Sequence, residues 1–157
     1  MYNALVVGCG NIGAMYDINS DQITTHVKAL DLNPLFSLSV FDVNLETINR
    51  VQNKYECNVE QYISVSNLSK YDLVSICTPT NYHSELLKLC FEANVKIVIC
   101  EKPISYSIED LAELEKAYNK ATTKVLVNYI RRFQPSFKEL KNIIETSIPL
   151  DTLRHVN

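Results

Sequence analysis

Apolar runs and amphipathic stretches alternate along the whole chain. The runs have the length of strands, are rich in Val, Ile and Leu, and are bounded by polar or turn-forming residues. They span 4–7, 36–41, 72–77, 96–100 and 124–128, and 59–63 is a further candidate for a short strand. Strands that alternate with helices indicate βαβ units. We therefore expect an α/β fold in which a doubly wound parallel sheet lies between two layers of helices, an αβα arrangement.

Between the strands, apolar residues recur at helical spacing. Residues that commonly cap helices precede three of these stretches: Thr24 or Thr25 before 26–30, Asn44 before the next, and Ser107 before a later one. Helices are also expected to begin at 12–16, to span 84–93, and to run on from Phe133. The side chains expected to face the core are Leu45, Ile48, Val51 and Tyr55; Leu86, Leu89, Cys90 and Ala93; Leu111, Leu114 and Tyr118; and Phe133, Phe137, Leu140 and Ile144.

The three glycines of the chain all fall within one turn after the first strand. Gly-x-Gly-x-x-Gly between an apolar strand and a helix start is the fingerprint of a dinucleotide-binding Rossmann fold. Gly8 would permit the tight turn, Gly10 would let the backbone approach a pyrophosphate, and Gly13 would let the helix pack on the strand. The pyrophosphate would contact backbone N–H groups of this turn. The alternative is a glycine-rich turn without a ligand. The residues assigned here to cofactor binding are Gly8, Cys9, Gly10, Asn11, Ile12 and Gly13.

The residues that follow the strands give an indication independent of the glycine motif. In an open parallel sheet, ligands bind outside the carboxyl ends of the strands. Those positions hold Gly8–Gly13, Asp42, Thr78–Pro79, Glu101–Pro103 and Asn128–Arg132. We expect these segments to converge on one edge of the sheet, where a single ligand could contact several of them.

Asp42 is the expected acceptor for the adenosine ribose hydroxyls, since a carboxylate at the end of the second strand can accept from both. It lies 29 residues after Gly13, a longer gap than usual, and the polar insertion at 17–21 accounts for the excess. No Lys or Arg follows Asp42 before Arg50, so no nearby cation is available for a 2′-phosphate. This pattern favours NAD over NADP. The alternative is an acid that only caps a helix.

Lys102 is the strongest single candidate for a catalytic residue. An ammonium group beside Glu101, at a strand end and stiffened by Pro103, can hydrogen-bond a substrate hydroxyl or carbonyl oxygen. Desolvation can also tune such a lysine for proton transfer. The alternative is an exposed Glu-Lys pair without a role.

Four other side chains are weaker candidates. His83 stands at the start of a helix, where it would either donate to the cofactor or satisfy the first helical turn, and spacing alone does not decide between the two. His26 is expected on a helix surface. Arg131 and Arg132 could reach an anion or a second domain, and Arg131 is assigned to substrate binding. As a pair, they are otherwise typical of a solvated face.

Composition narrows the class of protein. With 46% hydrophobic and 21% charged residues, the chain is typical of a soluble globular domain. A formal net charge of −3 gives no reason to expect nucleic acid or an anionic membrane as a partner. No apolar run approaches the roughly 20 residues that a membrane span needs. The five cysteines include no Cys-x-x-Cys pair, so we expect free thiols, no metal site and a cytoplasmic location.

Taken together, these motifs resemble those of the glucose–fructose oxidoreductase, inositol dehydrogenase and MocA-like family, Gfo/Idh/MocA. The resemblance extends over essentially the whole chain, and the combination of Glu-Lys-Pro after the fifth strand with Arg-Arg-Phe is its most specific part. The matching segments are Gly8–Gly13, Val74–Pro79 with His83, Cys100–Pro103, and Asn128–Phe133 with Pro135.

The resemblance implies an oxidoreductase that uses NAD, or less readily NADP. Hydride would pass between the nicotinamide and a hydroxyl or carbonyl carbon of a sugar, nucleotide sugar or cyclitol. Lys102 would hold and polarise the reacting group as the catalytic and substrate-binding residue. The nicotinamide end of the cofactor would be lined by Thr78, Pro79, His83 and Glu101.

The resemblance also implies a domain organisation. Family members are longer and carry a second α/β domain, which provides most substrate contacts and the oligomer interface. Residues 1–130 would form the NAD(P)-binding domain, and 131–157 a connecting helix and the start of a truncated C-terminal substrate domain. The stretch 150–157 could begin a further strand. The full-length protein would be a homo-oligomer, and this chain alone would be inactive.

Two alternatives come from other classes of protein. The first is a stand-alone module that binds or senses a dinucleotide without catalysis. The second is a methyltransferase-type nucleotide domain, which is disfavoured because its glycine loop lacks the third glycine at this spacing. It would also leave Glu101–Pro103 unexplained.

Overall fold

The computed structural model describes residues 1–147, and within them six strands form one sheet. The strands are β1 (Tyr2–Val7), β2 (Phe36–Phe41), β3 (Asn58–Val59), β4 (Leu73–Ile76), β5 (Ile97–Glu101) and β6 (Lys124–Asn128). Their order is β3-β2-β1-β4-β5-β6, so the chain builds outward from β1 to one edge and then returns to build the other half. The pairings among β1 to β5 are parallel.

Helices connect these strands on both faces of the sheet. They are α1 (His26–Asp31), α2 (Leu45–Gln52), α3 (Val65–Leu68), α4 (His83–Glu92), α5 (Ile108–Tyr118) and α6 (Pro135–Ser147), with short helical turns at Asn11–Met15, Thr80–Tyr82 and Ile130–Phe133. In the part of the chain that the structure describes, none of the helices is long and apolar enough to cross a membrane. The predicted doubly wound sheet with αβα layers is confirmed.

Alternate residues of β1 face two separate hydrophobic cores. Leu5 and Val7 pack on the side of α3, α4 and α5, whereas Val6 packs on the side of α1 and α2. All three side chains are at most 1% exposed. Burying a side chain of this kind contributes about 1.5–3 kcal/mol. Because β1 is covered on both faces, its sequence is a continuous apolar run rather than an alternating one.

The third strand, expected at 59–63, is present, but its expected bounds are wrong. β3 has only two residues, and the chain then turns into the unpredicted helix α3. Ser64 and Asn67 form a reciprocal cap at the start of α3, each side chain accepting from the backbone N–H of the other. The Asn67 amide also donates to Glu60 and to the carbonyl of Tyr62. These bonds hold the segment as a loop instead of an extension of the sheet edge.

The inward face of α4 differs from the expected one. Its buried apolar side chains are Leu87, Cys90 and Phe91, whereas Leu86 and Leu89 are only half-buried at the margin of the core. The helix is apolar around much of its circumference, so residue spacing does not determine which side faces the sheet. The rotation observed leaves Leu86 and Leu89 at the strand ends, where they line a cleft.

The expected apolar faces of α5 and α6 are also only partly buried. Leu114 of α5 is 3% exposed, but Leu111 and Tyr118 are 45% and 43% exposed. On and before α6, the exposed side chains include Phe133, Phe137 and Leu140. Amphipathic spacing alone does not determine how much of an apolar face the neighbouring elements cover.

The chain divides into two compact units, Met1–Val127 and Asn128–Asn157. The first contains nearly all of the sheet and helices α1 to α5. The described part of the second unit consists of the turn Ile130–Phe133 and α6. The strand candidate at 150–157 lies outside the described residues.

One buried carboxylate fixes the polar insertion between the glycine turn and α1. Asp17 is 1% exposed and accepts the backbone N–H of Thr24 at 2.6 Å, the N–H of Thr25 at 2.8 Å and the Thr25 hydroxyl at 2.7 Å. Lys28 donates to the backbone carbonyl of Ser20 from beside this loop. Burial raises the pKa of the Asp17 carboxyl, but the hydrogen bonds from Thr24 and Thr25 and the charge of Lys28 more than offset burial. The pKa of Asp17 therefore lies below its usual value.

Asp17→Asn should lower the free energy of unfolding by about 2–3 kcal/mol, because an amide offers one acceptor oxygen and turns N–H groups toward donors. The lowered pKa of Asp17 also makes the stability of the fold depend on pH. Asp17 stabilises the fold above the unfolded pKa of about 3.9, and this contribution is lost as the pH falls through the folded pKa. Urea unfolding at pH 7 and near pH 3 measures both effects, and the variant should lose less stability on acidification.

Asp21→Asn is the matched control, since Asp21 is an exposed aspartate in the same insertion. It should unfold at the same urea concentration as the unmodified chain. An Asp17→Asn variant as stable as this control at pH 7 would show that the carboxylate does not hold the insertion.

Candidate functional site

The glycine turn is packed against the chain's own backbone at two of its three glycines. Gly8 has a φ of +92°, and a Cβ there would lie 2.8 Å from the carbonyl carbon of Cys77. A Cβ on Gly13 would lie 2.0 Å from the Gly8 carbonyl oxygen. Side chains are therefore excluded at both positions by the contact of the turn with itself and with the end of β4. Folding alone explains why glycine stands at 8 and 13.

Gly10 is different, because nothing in the described chain lies within 4 Å of where its Cβ would be. Its φ of −66° is open to any residue. Packing and backbone conformation thus give no reason for glycine at this position. Gly10 lines an open cleft, and the backbone N–H groups of Asn11 and Ile12 stand at the start of the helical turn that follows it. N–H groups in such a first turn have no acceptor within their own helix.

Asp42 ties the end of β2 to the glycine turn. Its Oδ2 accepts the N–H of Cys9 at 2.7 Å, and its Oδ1 accepts the N–H of Asn44 at 2.8 Å. The N-cap of α2 is Asn44, which accepts from Glu46 and Thr47, so Asp42 is not the helix cap of the alternative interpretation. A carboxylate has about four lone-pair sites, so Asp42 retains acceptor capacity toward the cleft that it lines.

The cleft beside Gly10 has a volume of about 460 Å³. This is within the range of small-molecule sites. Thr78 is one of the residues that line the cleft, and the hydroxyl oxygen of Thr78 is buried and has no hydrogen-bond partner in the part of the chain described. A buried hydroxyl without a partner is costly, so a bound ligand group or water is expected to satisfy it. The cleft is lined by Val7, Gly8, Gly10, Phe41, Asp42, Val43, Ile63, Cys77, Thr78, Pro79, Tyr82, Glu85, Leu86 and Leu89.

His83 joins two strand-end loops. It is 1% exposed, with Nε2 at 2.8 Å from the carbonyl oxygen of Thr78 and Nδ1 at 2.9 Å from that of Pro103. Both ring nitrogens therefore face protein carbonyl groups rather than the cleft. The sequence left open whether His83 contacts a cofactor or satisfies a helix start, and neither interpretation anticipated this bridge.

The segment Glu101–Pro103 begins at the last residue of β5. The side chain of Lys102, its middle residue, is exposed. Glu101 is 9% exposed, and its Oε1 lies 2.9 Å from Nε2 of His26. The peptide bond between Lys102 and Pro103 is cis. Among residues 1–147, the structure shows no hydrogen bond or ion pair at the Lys102 ammonium.

The expectation that His26 lies on a helix surface is wrong. Its side chain is only 12% exposed, and its Nδ1 lies 2.6 Å from the hydroxyl of Ser75 in β4. The insertion displaces the start of α1, so that the first helical residue faces the sheet. A signal was present in the sequence, since Ser75 is a polar residue at the centre of an otherwise apolar strand, but nothing in the spacing linked it to His26 or Glu101.

The cysteines are all free thiols. Burial is the main cause that raises the pKa of Cys9 far above its usual value, and the neighbouring Asp42 adds to it. Burial likewise raises the pKa of Cys77 to about 12. Both thiols beside the glycine turn are therefore protonated at neutral pH, and they act as small apolar side chains. Within residues 1–147 no cluster of His, Cys, Asp or Glu could hold a metal ion.

Arg131 is exposed in the turn Ile130–Phe133, which belongs to the second unit. The segments brought together at the carboxyl edge of the first unit are the glycine turn, Asp42 and the Thr78–Pro79 loop. The Glu101–Pro103 segment is joined to the last of these through His83. The roles assigned to these residues in cofactor and substrate binding stay predictions.

The family model of the Gfo/Idh/MocA oxidoreductases, described as having an NAD-binding Rossmann fold, matches residues 2–129. The chain belongs to this family. Myo-inositol 2-dehydrogenase of Thermotoga maritima is 30% identical over 145 residues, which cover 89% of this chain and 40% of that protein. An NAD-binding protein of Listeria innocua has a solved structure with a TM-score of 0.71 and 28% identity, covering 92% of this chain and 40% of the other.

The WlbA dehydrogenase of Chromobacterium violaceum, solved in complex with NADH and UDP-GlcNAcA, shares the fold of this Gfo/Idh/MocA chain. The TM-score is 0.75 at 24% identity, over 92% of this chain and 39% of that one. The chain thus spans about two-fifths of the length of the relatives it matches. The resemblance inferred from the motifs is confirmed, and so is NAD as the cofactor of the family.

Gly10→Ala and Gly13→Ala should separate ligand binding from folding. Ala at 13 meets the Gly8 carbonyl oxygen and should destabilise the fold by about 1–3 kcal/mol or prevent folding. Ala at 10 meets nothing in the chain, so the thermal midpoint should stay within a few degrees. NADH affinity should nevertheless fall at least tenfold, because the methyl group occupies the space that a pyrophosphate needs.

Differential scanning fluorimetry and titration with NADH measure the two effects on the same samples. Gly10→Ala protein that binds NADH like the unmodified chain would mean that the open space beside Gly10 is not the pyrophosphate site.

Proposed function

We propose that this chain is the NAD-binding half of an oxidoreductase that transfers hydride between nicotinamide and a hydroxyl or carbonyl carbon of a sugar, nucleotide sugar or cyclitol. The observation that carries the proposal is the unfilled position beside Gly10, in a cleft that also contains Asp42. Family membership supplies the identity of the ligand. On this proposal, residues 1–130 form the cofactor domain, and 131–157 form a connecting helix and the start of a substrate domain.

The cleft fits the adenosine side of NAD. We assign the pyrophosphate to the N–H groups of Asn11 and Ile12, against Gly10. The two remaining lone-pair directions of Asp42 would accept from the adenosine ribose hydroxyls. Half-buried Leu86 and Leu89 offer an apolar surface for the adenine ring.

Charge favours NAD over NADP on this proposal. The Asp42 carboxylate would repel a 2′-phosphate attached to the ribose that it holds. The next cation along the chain is Arg50, on an exposed position of α2. Cys9 would contribute indirectly, because its N–H fixes the orientation of Asp42.

Lys102 is assigned to the reacting group. Bound NAD supplies the hydride acceptor, and in its reduced form the hydride donor. The Lys102 ammonium would donate a hydrogen bond to the substrate oxygen and hold the proton that this oxygen loses or gains. Thr78, Pro79, His83 and Glu101 are assigned to the nicotinamide end, with His83 acting through the two loops that it joins.

The substrate class rests on the relatives. One is named as a myo-inositol 2-dehydrogenase, and another was solved with a nucleotide sugar. Arg131 would contact an anionic part of such a substrate. We further place the protein in the cytoplasm, as its five free thiols support, and assign a homo-oligomer to the full-length enzyme.

Titration calorimetry with NADH and NADPH tests the proposal. The unmodified chain should bind NADH at least tenfold more tightly than NADPH. Asp42→Asn should weaken NADH binding about tenfold to a hundredfold, the effect of losing charge-assisted hydrogen bonds, and should narrow the preference over NADPH.

Asp21→Asn again serves as the control and should bind both cofactors unchanged. Absence of binding of either cofactor at millimolar concentration would overturn the proposed function. NADH binding without turnover is expected both of this NAD-binding half and of a module that only binds the dinucleotide, so the test of the proposal is the binding of NADH and not turnover.

A further inference from the structure

Three polar side chains from three elements meet beneath the Lys102 segment. The Ser75 hydroxyl of β4 lies 2.6 Å from Nδ1 of His26, and Nε2 of His26 lies 2.9 Å from Oε1 of Glu101. His26 is the first residue of α1, and Glu101 is the last residue of β5. We call these three residues the polar chain. None of the cofactor contacts assigned above uses His26 or Ser75.

The polar chain is buried. Ser75 is fully buried, and the side chains of His26 and Glu101 are 12% and 11% exposed. Burying polar and ionisable groups is costly unless they are paired, and even a paired set stabilises a fold little compared with apolar side chains. Contribution to stability is thus a weak explanation for these three residues, and the segment to which they are attached is a better one.

Donor and acceptor chemistry allows one continuous arrangement of the polar chain. A carboxylate only accepts, so the Nε2–H of His26 can donate to Glu101. The Nδ1 of the same tautomer is an acceptor and can receive the Ser75 hydroxyl proton. The Cys77 thiol, protonated because burial raises its pKa to about 12, lies 3.6 Å from the Ser75 oxygen and can donate to it. Each contact in the polar chain is satisfied by this one arrangement.

Lys102 lies between two residues that are each held by a histidine. Glu101 precedes it and is bound by His26, from the face of the sheet that carries α1. Pro103 follows it, and its carbonyl oxygen lies 2.9 Å from Nδ1 of His83 in α4, on the opposite face, where the ring N–H of His83 donates to this carbonyl or to that of Thr78. The Lys102 side chain itself is exposed. The backbone on both sides of the reactive lysine is therefore fixed while its side chain stays free to reach a ligand.

His26 owes its own position to the polar insertion. Thr25 is the N-cap of α1, and its hydroxyl donates to buried Asp17 while accepting the N–H of Lys28. The insertion thus fixes the first turn of α1, and with it the ring that reaches Glu101.

We infer that His26 is a positioning residue, supported by Ser75, which with His83 clamps Glu101–Pro103 and so sets the nicotinamide end of the site. The inference rests on the proposed function, because it takes this edge of the sheet as the NAD site. It goes beyond that function by assigning a role to a histidine, a serine and an insertion that contact no ligand.

Two ligands separate the ends of the site: NADH, and ADP-ribose, which lacks the nicotinamide ring. His26→Leu should weaken NADH binding about tenfold and change ADP-ribose binding less than twofold. His26→Gln places an amide near the position of Nε2, can still donate to Glu101, and should restore most of the NADH affinity. Nicotinamide fluorescence of the bound NADH should shift in His26→Leu and return in His26→Gln.

Asp42→Asn is the comparison variant at the adenosine end. It should weaken the binding of NADH and of ADP-ribose by similar factors. Glu101→Gln keeps the shape of the carboxylate and provides a second test if His26→Leu does not fold. It should weaken the binding of NADH more than the binding of ADP-ribose. Equal losses of NADH and ADP-ribose in the His26 or Glu101 variants would overturn the inference, as would unchanged NADH binding. If the unmodified chain binds neither ligand, the proposed function fails and the inference fails with it.

Discussion

The contact between the glycine turn and the end of β4 is the constraint on which the site depends. A side chain on Gly8 would overlap the backbone of Cys77 and Thr78, and one on Gly13 would overlap the Gly8 carbonyl. The N–H of Cys77 also donates to Val7 at 2.8 Å. This close packing leaves the N–H of Cys9 directed at Asp42, and the end of β2 is thereby joined to the same turn. Three strand ends thus become one surface through backbone contacts and the side chain of Asp42.

Much of the fold could be predicted because its signals are local. The apolar run of β1 and the alternating pattern of β2 depend on few neighbours, and both strands lie where they were expected. The strand expected at 59–63 extends only to Val59, because the residues up to Ile63 fit a short strand and a loop equally well. The side chain of Asn67 decides between them, through bonds to residues five and seven positions away.

The residues around the site could be predicted as positions but not as contacts. The rule for strand ends predicted that Asp42, Thr78 and Glu101 would share an edge. It could not show that Asp42 holds Cys9, or that His83 reaches Pro103, because these partners lie 33 and 20 residues apart and meet only through the order of the strands. His26 and Glu101 are 75 residues apart, and their pairing also depends on how the insertion folds around Asp17.

The two ends of the site differ in how far the chain itself organises them. On the proposed adenosine side Asp42 already accepts two backbone N–H groups, so a ligand there would meet an oriented carboxylate and would lose little entropy in ordering it. At the other end the backbone around Lys102 is held, but its ammonium has no protein partner among residues 1–147. A cation held by a protein carboxylate would have to leave that partner before it could bind a substrate oxygen. On the proposed roles, fixing the backbone on either side while leaving the ammonium unpaired would avoid this loss, and it would give a reason for two buried histidines beside one exposed lysine.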